Sequence, residues 1–373
     1  DRRQVVGLRV MSRSLRRVFA MFVVLTTTEA AFAGERAVDA LSHQDPTHYL
    51  DADGNQRPVT SPDEWQIRRR QVLENMQTVM GPLPTPTEPV PLDVRVLEEQ
   101  QFDGHVRRKI AYHTDSPERV VNAYLLIPTN TAESQQRPAM LVLHSTTRIG
   151  KEQPVGLGDA ESRHIALHLV RRGYVTLAPD YPSFGEYEYD FEKDDYTSGT
   201  MKAIYDNIRA VDLLQSLDEV DDERIGVIGH SLGGHNSMFT AVFEPRLKVI
   251  VSSCGFTRFH KYYEGRLKGW TSARYMPLID TQYHNDPDRV PFDFPEIVAA
   301  LAPRPFFASS PLHDSNFEVS GVRDTIAAAR PIYELLGKPE HLQANYPDCE
   351  HDFPPKAREV AYKFLDRHLK PER

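Results

Sequence analysis

Gly229-His230-Ser231-Leu232-Gly233-Gly234 follows the apolar run 225–228 and precedes an amphipathic stretch, 236–243. A strand, a G-x-S-x-G turn and a helix, in that order, hold a serine on a sharp bend with its hydroxyl exposed at a sheet edge. Small residues flank such a serine because strand and helix backbones nearly touch there. A serine hydroxyl is a weak nucleophile at neutral pH, so it needs a base, and the base needs a group to orient it. Both stand downstream in the order acid, then histidine. Asp314 lies in Pro311-Leu312-His313-Asp314-Ser315-Asn316, and His351 lies in Asp348-Cys349-Glu350-His351-Asp352-Phe353-Pro354. Each follows a short apolar run, 305–309 and 342–346, which places it at the carboxyl end of a strand, where open α/β sheets build their sites. The chemistry this predicts is acyl transfer through Ser231, His351 and Asp314. Glu318 and Asp348 are reserve acids, and His313 is a weaker candidate base because it precedes the last strand.

Such a reaction needs backbone donors for the developing oxyanion. One is the N–H of Leu232, immediately after the nucleophile. The second should come from the loop after the run 139–144, His144-Ser145-Thr146-Thr147, with Thr146 preferred and Ser145 next. Two aromatic-rich segments should frame the serine. One contains Tyr181, Phe184, Tyr187, Tyr189, Phe191 and Tyr196; the other contains Phe256, Phe259, Tyr262, Tyr263, Trp270 and Tyr275. Rings with polar tips suit flat amphipathic ligands, although the same rings can simply pack a cap onto a body. His144, Tyr181, Phe184, Phe256 and Trp270 are the candidate substrate contacts, with His144 also readable as a residue packed beneath its loop. Arg258, Lys261, Arg266, Lys268 and Arg274 make the second segment basic, a feature that could meet a uronate. No H-E-x-x-H motif occurs, so neither a metal nor another cofactor is expected.

The elements that must position these residues follow from periodicity. Residues 92–97, 105–113 and 120–127 read as β-strands joined by turns at Asp103-Gly104 and Ser116-Pro117. Short apolar strands then alternate with longer amphipathic helices: strands at 139–144, 175–178, 224–229, 249–253, 305–309 and 342–346, helices at 162–172, 200–217, 232–243, 320–336 and 356–369. That alternation predicts an α/β fold, a mostly parallel central sheet with helices on both faces. Residues 91–373 form the catalytic domain. Residues 34–90 form an N-terminal arm carrying a helix over 62–80, stopped by Gly81-Pro82. The alternation lapses over 255–295, an insertion too long for an idle loop and expected to act as a cap.

The elbow, Asp314 and the His351-Asp352-Phe353-Pro354 segment resemble the α/β-hydrolase superfamily, and within it the acetyl-xylan-esterase-like and dienelactone-hydrolase-like branch of secreted bacterial enzymes. Leu301-Ala302-Pro303-Arg304-Pro305 is similar to the lead-in to the acid strand in that branch. The resemblance spans roughly residues 90–370 and places the cap after the sixth strand of the fold. It departs at Ser145-Thr146-Thr147, which replace the usual oxyanion glycines, and in the insertion itself. It implies a serine carboxylesterase acting on a carbohydrate ester of the acetyl xylan type or on a small aryl ester. Glucuronoyl or feruloyl esters and a prolyl-oligopeptidase-like peptidase activity are the alternatives.

Bulk properties narrow the partners. The chain carries 44 Lys and Arg against 53 Asp and Glu, a net charge of −9, which gives it no electrostatic reason to bind nucleic acid. Met11 reads as a translation start, followed by Arg13, Arg16 and Arg17, an apolar run over 18–25 and Ala31-Phe32-Ala33 as a small-x-small cleavage site. Residues 1–33 therefore read as upstream sequence plus a signal peptide, too short in its apolar run for a membrane span of about 20 residues. A secreted or periplasmic protein is expected, with Arg16-Arg17 admitting twin-arginine export. Cys254 and Cys349, the only cysteines, are either a disulfide between two loops or two buried thiols.

Overall fold

A computed structural model describes residues 41–129 and 136–370, so the expected signal peptide lies outside the described residues. A two-stranded ribbon, β1 (His48–Leu50) and β2 (Gln56–Pro58), leads into helix Pro62–Met80. Nine further strands build one sheet: β3 (Arg95–Phe102), β4 (His105–His113), β5 (Val120–Pro128), β6 (Arg137–Leu143), β7 (Val175–Pro179), β8 (Val220–His230), β9 (Leu247–Ser253), β10 (Phe306–Ser309) and β11 (Leu342–Asn345). Their order is β11-β10-β9-β8-β6-β7-β5-β4-β3. Strands β7, β6, β8, β9, β10 and β11 run parallel, while β3, β4 and β5 form an antiparallel extension whose β5 pairs with β7. The central strands β6 and β7 are buried along their whole length, as a sheet covered on both faces requires.

The chain runs from β6 to β7 on one side, then crosses to β8 on the other. The loops leaving β6 and β8 therefore diverge at a topological switch point, where this architecture opens a crevice. On one face Trp65, Val72 and Met76 of helix Pro62–Met80 join the same core as Leu141, Val227 and Phe239. That helix starts at Ser61, whose hydroxyl accepts the Glu64 N–H, and stops at Gly81, whose φ of 89° lies in the region that favours glycine. On the other face Val142, Ile228 and Phe307 pack against Phe364 and Leu365 of the final helix, Pro355–Leu369.

The structure shifts several expected boundaries. Strand β3 spans Arg95–Phe102 rather than 92–97. Every residue of this edge strand is exposed, so burial leaves no pattern in it; its register comes instead from the Asp103-Gly104 turn that pairs Phe102 with His105. Helix Phe294–Leu301 was not expected, and it shortens the insertion from 255–295 to end at the cap residue Asp293. All eight of its residues are buried, which erases the helical alternation, but Asp293 and Glu296 form a capping box at its start. Cys254 and Cys349 are both free thiols, so the two loops are not joined by a disulfide.

Candidate active site

Ser231 is the N-cap of helix Leu232–Phe243 and has φ 55° and ψ −117°, a conformation that a non-glycine residue adopts only when its surroundings impose it. The Ser231 N–H donates to the Ser253 carbonyl at 2.8 Å, and the Ser231 carbonyl accepts the His235 N–H at 2.9 Å. The glycines explain how the bend closes. A Cβ on Gly233 would stand 2.0 Å from the Leu143 carbonyl oxygen, and one on Gly229 would stand 2.3 Å from the Gly233 backbone. As the first helical residue, Leu232 has an N–H without an intrahelical acceptor, at the positive end of the helix dipole.

Asp314 and His351 meet as the sequence suggested. Asp314 is buried, and its Oδ2 lies 2.8 Å from His351 Nδ1. Its Oδ1 accepts the backbone N–H groups of Asn316 at 2.8 Å and Phe317 at 3.0 Å, which fixes the carboxylate plane. An ionised carboxylate on Nδ1 selects the tautomer with the proton there, leaving Nε2 able to accept one. Arg163 holds the loop from behind by donating to the His351 carbonyl at 3.0 Å and to the Asp352 carboxylate. The His351 ring lies 5.0 Å from the His230 ring and 5.9 Å from the Phe317 ring. The His351 side chain is hydrogen-bonded to Asp314 and not to Ser231 in this structure; a catalytic contact of that kind commonly tightens only with substrate. The other candidates go elsewhere. His313 pairs with Asp348 at the exposed surface at 2.8 Å, and Glu318 accepts the Ser320 N–H.

Ser231 opens into a pocket of about 400 Å³ lined by Thr146, Ser231, Leu232, His235, Tyr262, Gly269, Trp270, Tyr275, Asn316 and Phe317. Trp270 and Thr146 were expected here. Five other candidates are placed differently. Ser145 spends its N–H on Gln153 Oε1 at 3.2 Å, so it has none left for an oxyanion. His144 is buried, with Nδ1 against the Ser145 carbonyl at 2.7 Å and Nε2 accepting the Tyr181 N–H at 3.0 Å; both nitrogens serve the loop, and burial lowers its pKa. Phe256 is stacked on Phe294 in the core. Tyr181 and Phe184 lie behind the pocket wall, where the Tyr181 hydroxyl donates to the Arg274 carbonyl at 2.6 Å and Phe184 carries the Arg274 guanidinium 4.3 Å above its ring. None of the basic residues of the insertion is among the residues that line this pocket.

Sequence reasoning missed His235 and Phe317. A signal for His235 existed: four residues after Ser231 on the following helix, it must share the serine's face. Burial leaves His235 with its pKa pushed down to about 3, so its ring is neutral. For a metal, one grouping places donor atoms together among the described residues. Cys254 Sγ, an Asp314 oxygen and a His351 nitrogen lie within 4.8 Å of one another. Burial raises the Cys254 thiol pKa well above its usual value, and its sulfur donates instead to the Asp352 carbonyl at 3.4 Å.

Known proteins resemble this chain over most of its length. It is 25% identical over 314 residues to YtaP of Bacillus subtilis (strain 168), covering 81% of this chain and 99% of that protein. It is 22% identical over 260 residues to the carbohydrate esterase MZ0003 of an unknown prokaryotic organism, covering 59% of each. A glucuronoyl esterase from Solibacter usitatus superposes with a TM-score of 0.67 at 18% identity, covering 88% of this chain and 99% of the other, and so shares the fold. The prolyl oligopeptidase family model matches residues 161–372, the stretch that carries the elbow, the acid and the histidine. Spanning more than half of the chain, that match shows that the protein belongs to the prolyl oligopeptidase family and is a serine hydrolase of the α/β-hydrolase fold.

Proposed function

We propose that this protein is an esterase that cleaves an acyl ester of a carbohydrate through a Ser231 acyl-enzyme. The observation that carries the reading is the 2.8 Å Asp314–His351 pair, its imidazole 5.0 Å from the ring of His230, the neighbour in sequence of a serine held on a strained elbow that opens into the pocket. His351 Nε2 takes the Ser231 proton as the hydroxyl attacks the ester carbonyl. The Leu232 N–H and the Thr146 N–H receive the negative charge on the carbonyl oxygen. His351 then returns the proton to the departing sugar hydroxyl, and water repeats the sequence on the acyl-enzyme. Asp314 keeps the imidazole in the required tautomer throughout.

The carbohydrate assignment is supported by the names of relatives, the carbohydrate esterase MZ0003 and a 4-O-methyl-glucuronoyl methylesterase of Wolfiporia cocos (strain MD-104) that is 25% identical over 201 residues. It is also supported by a pocket wall of Trp270, Tyr262 and Tyr275, rings with polar tips that suit sugar faces. A methyl ester of a glucuronate is the second reading, on the strength of that second relative. The basic and apolar stretch over 13–33 supports an exported enzyme. Among the described residues no helix is long and apolar enough to cross a membrane.

The test is a panel of acetylated xylan, glucuronoyl ester, p-nitrophenyl acetate and an amino-acyl p-nitroanilide, run with the wild type and with Ser231→Ala. Ester turnover in the wild type, falling by about a million-fold in the variant with an unchanged circular dichroism spectrum, is the expected outcome. Anilide cleavage faster than ester cleavage would instead make it a peptidase.

A further inference from the structure

Two residues that line the pocket beside Ser231 carry polar atoms without hydrogen-bond partners among the described residues. His235 is 2% exposed and Trp270 is 5% exposed, yet among the described residues neither ring nitrogen of His235 nor the indole Nε1 of Trp270 has a hydrogen-bond partner. Buried polar groups in native proteins are almost always paired, because an orphan forfeits its solvation without return. Both residues line the same pocket as Ser231, Leu232 and Thr146, and because their orphan nitrogens are themselves buried, a ligand group bonds them only by pressing into the pocket wall. Their placement is built rather than incidental. His235 sits one helical turn after Ser231, its N–H on the Ser231 carbonyl, and its ring is fixed 4.0 Å from Phe239 and 4.9 Å from Trp270. Trp270 is braced in turn by Phe259, Tyr262, Phe294 and Phe317.

We propose that His235 and the Trp270 indole N–H bind a neutral hydroxyl of the substrate sugar next to the scissile ester. This deepens the carbohydrate esterase reading and rests on it. A neutral imidazole presents one donor and one acceptor, and the indole adds a second donor. A hydroxyl, which donates once and accepts twice, matches that set. A carboxylate does not: it has no proton for the imidazole lone pair, and no lysine or arginine lines the pocket to offset its charge. The burial that holds His235 neutral, with its pKa near 3, keeps that donor and acceptor set fixed at any pH the enzyme would meet. The site therefore selects esters flanked by a free hydroxyl over simple aryl esters.

The experiment compares kcat/KM for a mono-acetylated methyl xyloside and for p-nitrophenyl acetate in the wild type, His235→Phe, His235→Gln and Trp270→Phe. A site built to bond a hydroxyl discriminates steeply against partners that leave it unpaired. The ratio of sugar ester to aryl ester should therefore fall by about 10- to 100-fold in His235→Phe and Trp270→Phe. It should recover in part in His235→Gln, which restores a donor and an acceptor. Trp270→Phe keeps a ring in place and reads the same contact if His235→Phe does not fold. Ratios within about threefold of wild type in both phenylalanine variants would overturn the hydroxyl site while leaving the esterase reading standing. A wild type active on the aryl ester but inert towards the sugar ester would overturn the carbohydrate reading, and this inference with it.

Discussion

Asp314→Asn is the sharpest perturbation, because the geometry dictates which way the new amide must face. Oδ1 of Asp314 accepts two backbone N–H groups, from Asn316 and Phe317, and those donors cannot turn away. An asparagine must therefore keep its carbonyl oxygen at that position, which places its NH2 where Oδ2 now lies, 2.8 Å from His351 Nδ1. An NH2 there forces Nδ1 to accept, so the imidazole proton moves to Nε2 and the nitrogen facing Ser231 can no longer take a proton. The fold should barely notice, since both backbone donors remain satisfied and the volume is unchanged. Turnover should fall by about 10⁴-fold, the size of the same tautomer trap in another serine hydrolase, equivalent to about 5.5 kcal/mol of transition-state stabilisation. Steady-state kinetics on p-nitrophenyl acetate at pH 7, with thermal unfolding as a control, measure both quantities. An Asp314→Asn enzyme with an unshifted melting temperature and activity within tenfold of wild type would refute the assignment of Asp314 as the orienting acid.

Two further predictions concern the frame around the site. Burial depresses the pKa of His235 to about 3 and of His168 to about 4, below the ordinary histidine value of 6.5, so the unfolded chain binds protons that the native protein excludes. Their contribution is complete above pH 6.5 and is lost as pH falls from there towards 4 for His168 and 3 for His235, at up to about 1.4 kcal/mol per pH unit for the fully buried His235 ring and less for the half-buried His168. Urea midpoints should therefore drop steeply between pH 7 and pH 5, and His235→Phe should remove about one proton from that slope; an unchanged slope in that variant would contradict the burial argument. Lys151 and Asp180, both fully buried, form an ion pair at 2.8 Å that ties the loop after β6 to the loop after β7. Lys151→Met strands the carboxylate and should cost about 3–5 kcal/mol, whereas Lys151→Met with Asp180→Asn should recover part of that loss by chemical denaturation.

What the sequence made legible follows physical lines. The alternation of buried strands and amphipathic helices located all six parallel strands within a few residues, and helix Leu232–Phe243 fell where the elbow required it. The Asp314–His351 pairing was legible too, since each lies on a loop just after a short apolar run. Helix Phe294–Leu301 and the bounds of edge strand β3 were not. The first is buried on every side and the second exposed on every side, so neither carries an alternation to detect. Composition likewise could not separate rings that line the pocket from rings that fill the core. Phe256 and Trp270 come from the same aromatic insertion, yet only Trp270 reaches the pocket.

In the proposed oxyanion loop, the lack of glycine does not by itself weigh against a donor. Ser145-Thr146-Thr147 lacks the flexibility of a glycine loop, but flexibility is not what the reaction needs; a donor fixed in place is. His144 bonds the loop's own Ser145 carbonyl and the Tyr181 N–H, Gln153 takes the Ser145 N–H, and the Lys151 N–H and ammonium both reach Asp180. Asp180 in turn accepts the Glu186 N–H at 3.0 Å, so the loops after β6 and β7 share one buried anchor. With Ser145 committed, Thr146 is the residue of that loop that lines the pocket together with Leu232. Loosening the anchor therefore should act on transition-state stabilisation before it acts on binding: in Lys151→Met with Asp180→Asn, kcat should fall while KM for p-nitrophenyl acetate stays near wild type. A rise in KM at constant kcat would mean that the loop shapes the pocket and that the second oxyanion donor lies elsewhere.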